Sequence, residues 1–216
     1  MFFRVYLFLF FLAFLAFFLY RDVFLFSRRM GVHPFSILRT GRLNRHTVLE
    51  FIIGIEYVAL AVVVVGYIFN MGYMDSLGPV AALGMTWVKW LGVIDSWILV
   101  IFMFPPIFQM GKDFRVGIDD ELKPGLVTKG LFAYTRNPIF FGILHMFLCV
   151  FLIAPNCMSL FLVFAYYITV TEQIKEEERF LAPIHGEDYH RYLESVPRFW
   201  PRLWPGNKTG KGRAPQ

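Results

Sequence analysis

Five stretches of this chain are apolar for long enough to leave water, and that fixes what it can become. Crossing a bilayer takes roughly 20 mainly apolar residues, and candidates lie at 2–20, 48–69, 83–108, 139–154 and 157–173. The last two are short and separated only by Ala154, Pro155 and Asn156, which predicts a helical hairpin. Hydrophobic residues make up 57% of the 216 and aromatic ones 19%, well beyond ordinary soluble domains. The expected fold is all-α: a polytopic membrane protein of about five transmembrane helices, one membrane domain over 1–204.

The basic residues set an orientation before they bind anything. The first connection carries Arg21, Arg28, Arg29, Arg39, Arg42 and Arg45 against one acid, Asp22, whereas residues 70–79 hold no Lys or Arg. The connection over 105–137 is again basic, and 154–156 is again without basic residues. Positive connections stay inside, so the N-terminus is expected outside and the charged C-terminal region in the cytoplasm. The basic cluster follows the first apolar run rather than preceding it, and no small-residue cleavage pattern appears, so that run reads as a span and not a leader. Residues 205–216 have the composition of a disordered tail. Cys149 and Cys157 lack metal-ligand spacing and read as packing residues.

Two polar signals bracket the hairpin. Before it stand Thr135, Arg136, Asn137 and Pro138, which predict a helix start with Asn137 as N-cap and Pro138 at the first helical position. Free N–H groups, the positive dipole end and the Arg136 charge together suit a carboxylate or phosphate. After it the fifth helix continues through Glu172, Glu176, Glu177 and Glu178 and is expected to stop before Pro183. Glu177 follows Ile174 by three and precedes Leu181 by four, which puts its carboxylate on the apolar face, where it needs a partner or a cationic ligand. Glu172 and Glu176 fall mostly elsewhere. Beyond Gly186, a short amphipathic helix with Tyr189, Tyr192, Leu193 and Val196 on one face is expected to cover this polar site, with Trp200 and Trp204 as interfacial anchors. Glu50 and Glu56 lie in the second apolar run, and an intramembrane carboxylate faces a cavity or a partner. Lys89 and Asp95, among Trp87, Trp90 and Trp97, read as residues near the outer interface.

These residues carry a resemblance. Leu126, Val127 and Thr128, then Gly130, Phe132, the corner Arg136, Asn137, Pro138, then Phe140 and Gly142 form its first half. Glu177, Glu178 and Leu181, then Gly186, Glu187, Tyr189 and Tyr192, then Val196 and Pro197 form its second. Over about 120–201 the chain resembles the isoprenylcysteine carboxyl methyltransferase family, within the wider group of membrane methyltransferases that includes phospholipid methyltransferases. The resemblance implies S-adenosylmethionine bound on the cytoplasmic side and a methyl group passed to a membrane lipid or other lipophilic acceptor, with no role for nucleic acid. Carried over by position, cofactor contacts would come from Pro124, Gly125, Leu126, Val127, Phe132, Arg136, Asn137, Pro138, Ile139, Phe140, Glu177 and Glu178. The family corner usually reads Arg-His-Pro-x-Tyr, so Asn137 and Phe140 are departures. Where carboxyl-methylating members carry an Arg beside the substrate, four residues before the glutamate, this chain has Gln173, and a neutral amide cannot pair a carboxylate as a guanidinium can. Gln173 and Glu56 are the candidates for work at the reacting centre, with no metal implied. A membrane sterol reductase using NADPH, or a non-catalytic protein that keeps the fold, are the competing readings.

Overall fold

The computed structural model describes residues 1–18, 44–110 and 125–204. Pro124, most of the first basic connection and the tail at 205–216 lie outside them. Among the described residues five α-helices follow in order: α1 (Phe2–Phe18), α2 (Arg45–Phe69), α3 (Thr86–Met110), α4 (Pro138–Ile153) and α5 (Cys157–Ser195). The only strand-like pairing among the described residues is an isolated bridge between Pro79 and Asn156. α2, α3 and α5 are long and apolar enough to cross a membrane, while α1 and α4 are apolar but shorter.

Packing is centred on α4. Met146, Phe147, Cys149, Val150 and Ile153 of that helix are fully buried against Leu7 of α1, Leu60, Val63 and Val64 of α2, Leu99 and Met103 of α3, and Leu162, Tyr166 and Val170 of α5. α3 and α4 approach closely because glycines line their seam. A Cβ on Gly92 would stand 3.0 Å from the Cys149 carbonyl oxygen, and one on Gly142 3.3 Å from that of Leu99. Small residues at such seams let apolar helices gain dispersion contacts where lipid offers no hydrophobic drive. The outer faces remain apolar: Phe51, Ile55, Val58 and Val62 of α2, and Phe161, Phe164 and Ile168 of α5, are exposed at helical spacing. Lipid tails are the solvent that suits those stripes.

The two ends of the bundle differ in chemistry. At one end the connection after α2 meets the α4–α5 turn, Val80 N–H donating to the Pro155 carbonyl at 3.1 Å and Cys157 N–H to that of Gly78 at 2.8 Å. Asn156 and Ser159 close a capping box on α5 there, and Arg4 at the start of α1 reaches the Asn70 side chain at 2.6 Å. At the other end Arg45 pairs with Glu172 and Glu176 at 2.6 and 3.2 Å, and Arg136 with Glu178 at 2.7 Å. The connections without basic residues thus share one end, and the described flanks of the basic ones share the other.

Three sequence expectations need correction. α5 does not stop before Pro183. A proline only removes one helical hydrogen bond and crowds the preceding turn, and the break falls instead at Gly186, whose φ of 54° and ψ of −130° suit glycine alone. α2 begins at Arg45 rather than 48, because Asn44 and Thr47 build a reciprocal cap ahead of the apolar run. Asp95 is also no simple interfacial residue: its carboxylate lies 2.7 Å from His145 Nδ1, joining α3 to α4 within the apolar bundle.

Candidate functional site

The corner at 135–138 is held by the segment that follows α5. Thr135 Oγ1 donates to the Phe199 carbonyl at 2.8 Å, Arg136 N–H to that of Pro197 at 2.9 Å, and Arg202 N–H to that of Tyr134 at 3.1 Å. The Arg136 guanidinium, 9% exposed, forks onto Glu178 Oε1 at 2.7 and 3.0 Å, and its Nη1 donates to the carbonyls of Leu193 and Val196 at 2.5 and 2.7 Å. Arg198 binds the second oxygen of Glu178 at 2.8 Å. Arg136 and Glu178 therefore serve one another first. Their joint effect is to pin α5 beside the start of α4, with Glu177 as the next residue along.

The α4 start is open. Asn137 occupies the N-cap position and Pro138 the first helical one, as the sequence predicts, but Asn137 makes no side-chain cap. Its amide turns away to donate to the Arg198 carbonyl of the segment after α5 at 2.7 Å. Helix geometry leaves the N–H groups of the first turn, Ile139 and Phe140 among them, without intrahelical acceptors. An uncapped helix start beside a carboxylate-bearing helix is a place for a ligand with both an anionic and a cationic end.

The rest of the predicted tract falls around this point. Gly125, Leu126 and Val127 run without regular structure, and Leu126 packs on the cluster of Tyr189, Tyr192 and Val196. Phe132, buried in a short 3-10 turn over Gly130–Ala133, has its carbonyl held by the Tyr192 hydroxyl at 2.7 Å. Burial pushes the Tyr189 and Tyr192 hydroxyls well above the ordinary tyrosine range, so both stay protonated donors at neutral pH. Ile139 and Phe140 are half-buried at the α4 start, and Glu177 is half-buried on α5.

Deeper along the α2–α5 seam lies a line of buried polar groups. Thr169 donates to Glu56 Oε1 at 2.8 Å, Gln173 Nε2 lies 2.8 Å from His46 Nδ1, and His46 Nε2 lies 3.1 Å from Glu50. His46, Glu56 and Gln173 are 6, 5 and 3% exposed. His46 was not legible as a site residue from the apolar pattern. Its signal is the His-to-Glu spacing of four that puts it and Glu50 on one helix face. Arg198 likewise had no sequence signal beyond being basic.

Known proteins match the chain in two ways. Residues 87–188 match the family model for phospholipid methyltransferase. That match, a little under half of the chain, spans α3, α4, the corner and most of α5, and it bears out the resemblance carried by the tract. The fold is similar to the structure of the eukaryotic intramembrane Ras methyltransferase, isoprenylcysteine carboxyl methyltransferase, determined without a monobody. The TM-score is 0.53 at 20% identity, over 85% of this chain and 62% of that one. The chain thus spans somewhat less than two thirds of that protein's length, and the likeness is one of fold. No curated protein gives a match.

Proposed function

We propose that this chain is an integral membrane methyltransferase that takes its methyl group from S-adenosylmethionine and delivers it to a lipophilic acceptor. The observation that carries the reading is the uncapped start of α4, fixed beside Glu177 by the Arg136–Glu178 pair. The residues present suit the cofactor at both of its ends. Backbone N–H groups of the α4 start meet a carboxylate, and Glu177 meets an ammonium or ribose hydroxyls, with Phe132, Phe140, Leu126 and Val127 enclosing the remainder. When bound, the cofactor supplies an electrophilic methyl group on a sulfonium sulfur.

The protein's own share is positioning and proton handling. Holding an acceptor in line in a water-poor site supplies on the order of 7–11 kcal/mol of the barrier. The α2–α5 seam gives that site its acceptor side, with Gln173 one helical turn before Glu177. Glu56 Oε2, buried and without a hydrogen-bond partner among the described residues, stands to receive the proton that an N–H or O–H nucleophile sheds. The cofactor end of the bundle faces the cytoplasm in this reading, as the distribution of basic residues predicts.

Thermal unfolding of the detergent-purified protein with S-adenosylhomocysteine or NADPH tests the reading. A ligand at 100 times its dissociation constant stabilises by about 2.7 kcal/mol. S-adenosylhomocysteine is expected to raise the melting temperature, NADPH to leave it, and Glu177→Ala to remove the rise. No shift at millimolar S-adenosylhomocysteine rejects the proposal, and a shift with NADPH alone favours a reductase.

A further inference from the structure

His46 and Glu50 are not needed to hold the cofactor, yet they are tied to the residue that sits where an acceptor must approach. Gln173 lies one turn of α5 before Glu177 and one turn after Thr169, at 3% exposure. Glu50 as a carboxylate only accepts, and its Oε1 stands 3.1 Å from His46 Nε2 in an ion-pair contact that is not aligned as a hydrogen bond; the nearby negative charge favours the imidazole proton on Nε2. Nδ1 is then an acceptor, and the Gln173 amide is no longer free to flip: Nε2 donates to Nδ1 at 2.8 Å and Oε1 faces elsewhere. That Oε1 is buried and has no hydrogen-bond partner among the described residues. Glu56 Oε2, bonded through its other oxygen to Thr169 one turn deeper on α5, is in the same condition. Both atoms are acceptors, and since a buried acceptor left unpaired is costly, each is placed to take a donor from a ligand. The guanidinium on this seam, Arg45, is 56% exposed and engaged by Glu172 and Glu176.

We propose that Glu50 and His46 form a positioning relay that locks the Gln173 carbonyl oxygen toward the methyl acceptor, so that the acceptor is one that donates an N–H or O–H rather than one that presents a carboxylate. The inference rests on the methyltransferase reading and deepens it. A bare carboxylate would meet two fixed acceptors and the Glu56 charge, whereas a donor satisfies Gln173 Oε1 and can pass its proton to Glu56. His46 and Glu50 touch no reactant in this arrangement, and act only through the orientation of one amide.

The test uses the full chain in nanodiscs saturated with S-adenosylhomocysteine, reading the apparent affinity for octadecylamine and for octadecanoate from thermal shifts, and in separate samples without it, methyl transfer from S-adenosylmethionine to octadecylamine. The wild-type protein is expected to bind the amine and not the carboxylate. His46→Asn keeps an acceptor where Nδ1 stands, and is expected to weaken amine binding by less than about threefold. His46→Gln keeps a group where Nε2 stands and loses the Gln173 contact; the loss of one hydrogen bond to the acceptor should weaken binding about tenfold. Gln173→Met, which removes the oxygen without adding charge, should match His46→Gln and serves if that variant fails to fold. The S-adenosylhomocysteine response should be the same in all three. Equal effects of His46→Asn and His46→Gln, full amine affinity in Gln173→Met, or octadecanoate binding as tightly as the amine overturn the relay while the methyltransferase reading stands. No S-adenosylhomocysteine response in the wild-type protein removes both.

Discussion

Truncating Arg136 leaves three acceptors without their donor: Glu178 Oε1 and the carbonyls of Leu193 and Val196. Breaking a buried pair from one side costs about 3–5 kcal/mol, and Arg198, still on the other oxygen of Glu178, softens the loss. Arg136→Ala is therefore expected to lose about 3 kcal/mol in detergent-titrated unfolding, and Arg136→Lys to recover less than half, since one ammonium cannot replace the fork. Unchanged stability in Arg136→Ala would mean that the guanidinium's role lies in ligand contact alone. The same residue shows how far the sequence carries. It marks the corner correctly because Arg, Asn and Pro in that order start a helix, but the partner of Arg136 comes from residues 42 to 60 positions away, a distance local pattern does not encode. His46 is the sharper case: a histidine at the mouth of an apolar run looks like any interfacial residue until the fold lays Gln173 against it.

Among the elements, α5 is where sequence and structure diverge most. Its membrane part and the Tyr189–Val196 face follow from periodicity, but the choice between Pro183 and Gly186 as the break does not. Proline is tolerated where neighbouring turns absorb the missing bond, whereas a reversal of φ has to fall on glycine. A Cβ on Gly186 would meet nothing within 4 Å, so Gly186→Ala probes backbone strain alone and should cost on the order of 1–3 kcal/mol. Gly92→Ala differs in kind. Its Cβ would lie 2.8 Å from Ile153 Cγ1 and 3.0 Å from the Cys149 carbonyl oxygen, so α3 and α4 must separate. Overpacking of that sort costs about 1–3 kcal/mol. The two variants should separate in a disulfide-proximity assay between α3 and α4: Gly92→Ala lowers the crosslinking rate and Gly186→Ala does not. Equal rates in both would mean that the α3–α4 seam has slack the glycine contacts deny.

At the scale of the whole molecule, the two ends of the bundle make a claim about sidedness. The connection with no basic residues is bonded to the α4–α5 turn, and the ends rich in arginine converge on Glu172, Glu176 and Glu178. The charge pattern in the sequence predicted that segregation because each short connection must choose a side, and the folded chain groups them accordingly. By the positive-inside rule the arginine-rich end is the one expected in the cytoplasm. Asp75 and Lys129 are exposed and belong to opposite ends. With Cys149 and Cys157 replaced by serine, Asp75→Cys is expected to react with a membrane-impermeant maleimide added outside intact cells, and Lys129→Cys only after the membrane is opened. In the proposed reading, a cofactor made in the cytoplasm reaches the α4 start only in that orientation. Labelling of Lys129→Cys from outside in sealed cells would therefore invert the topology and, with it, deny S-adenosylmethionine access to the corner that Arg136 and Glu178 build.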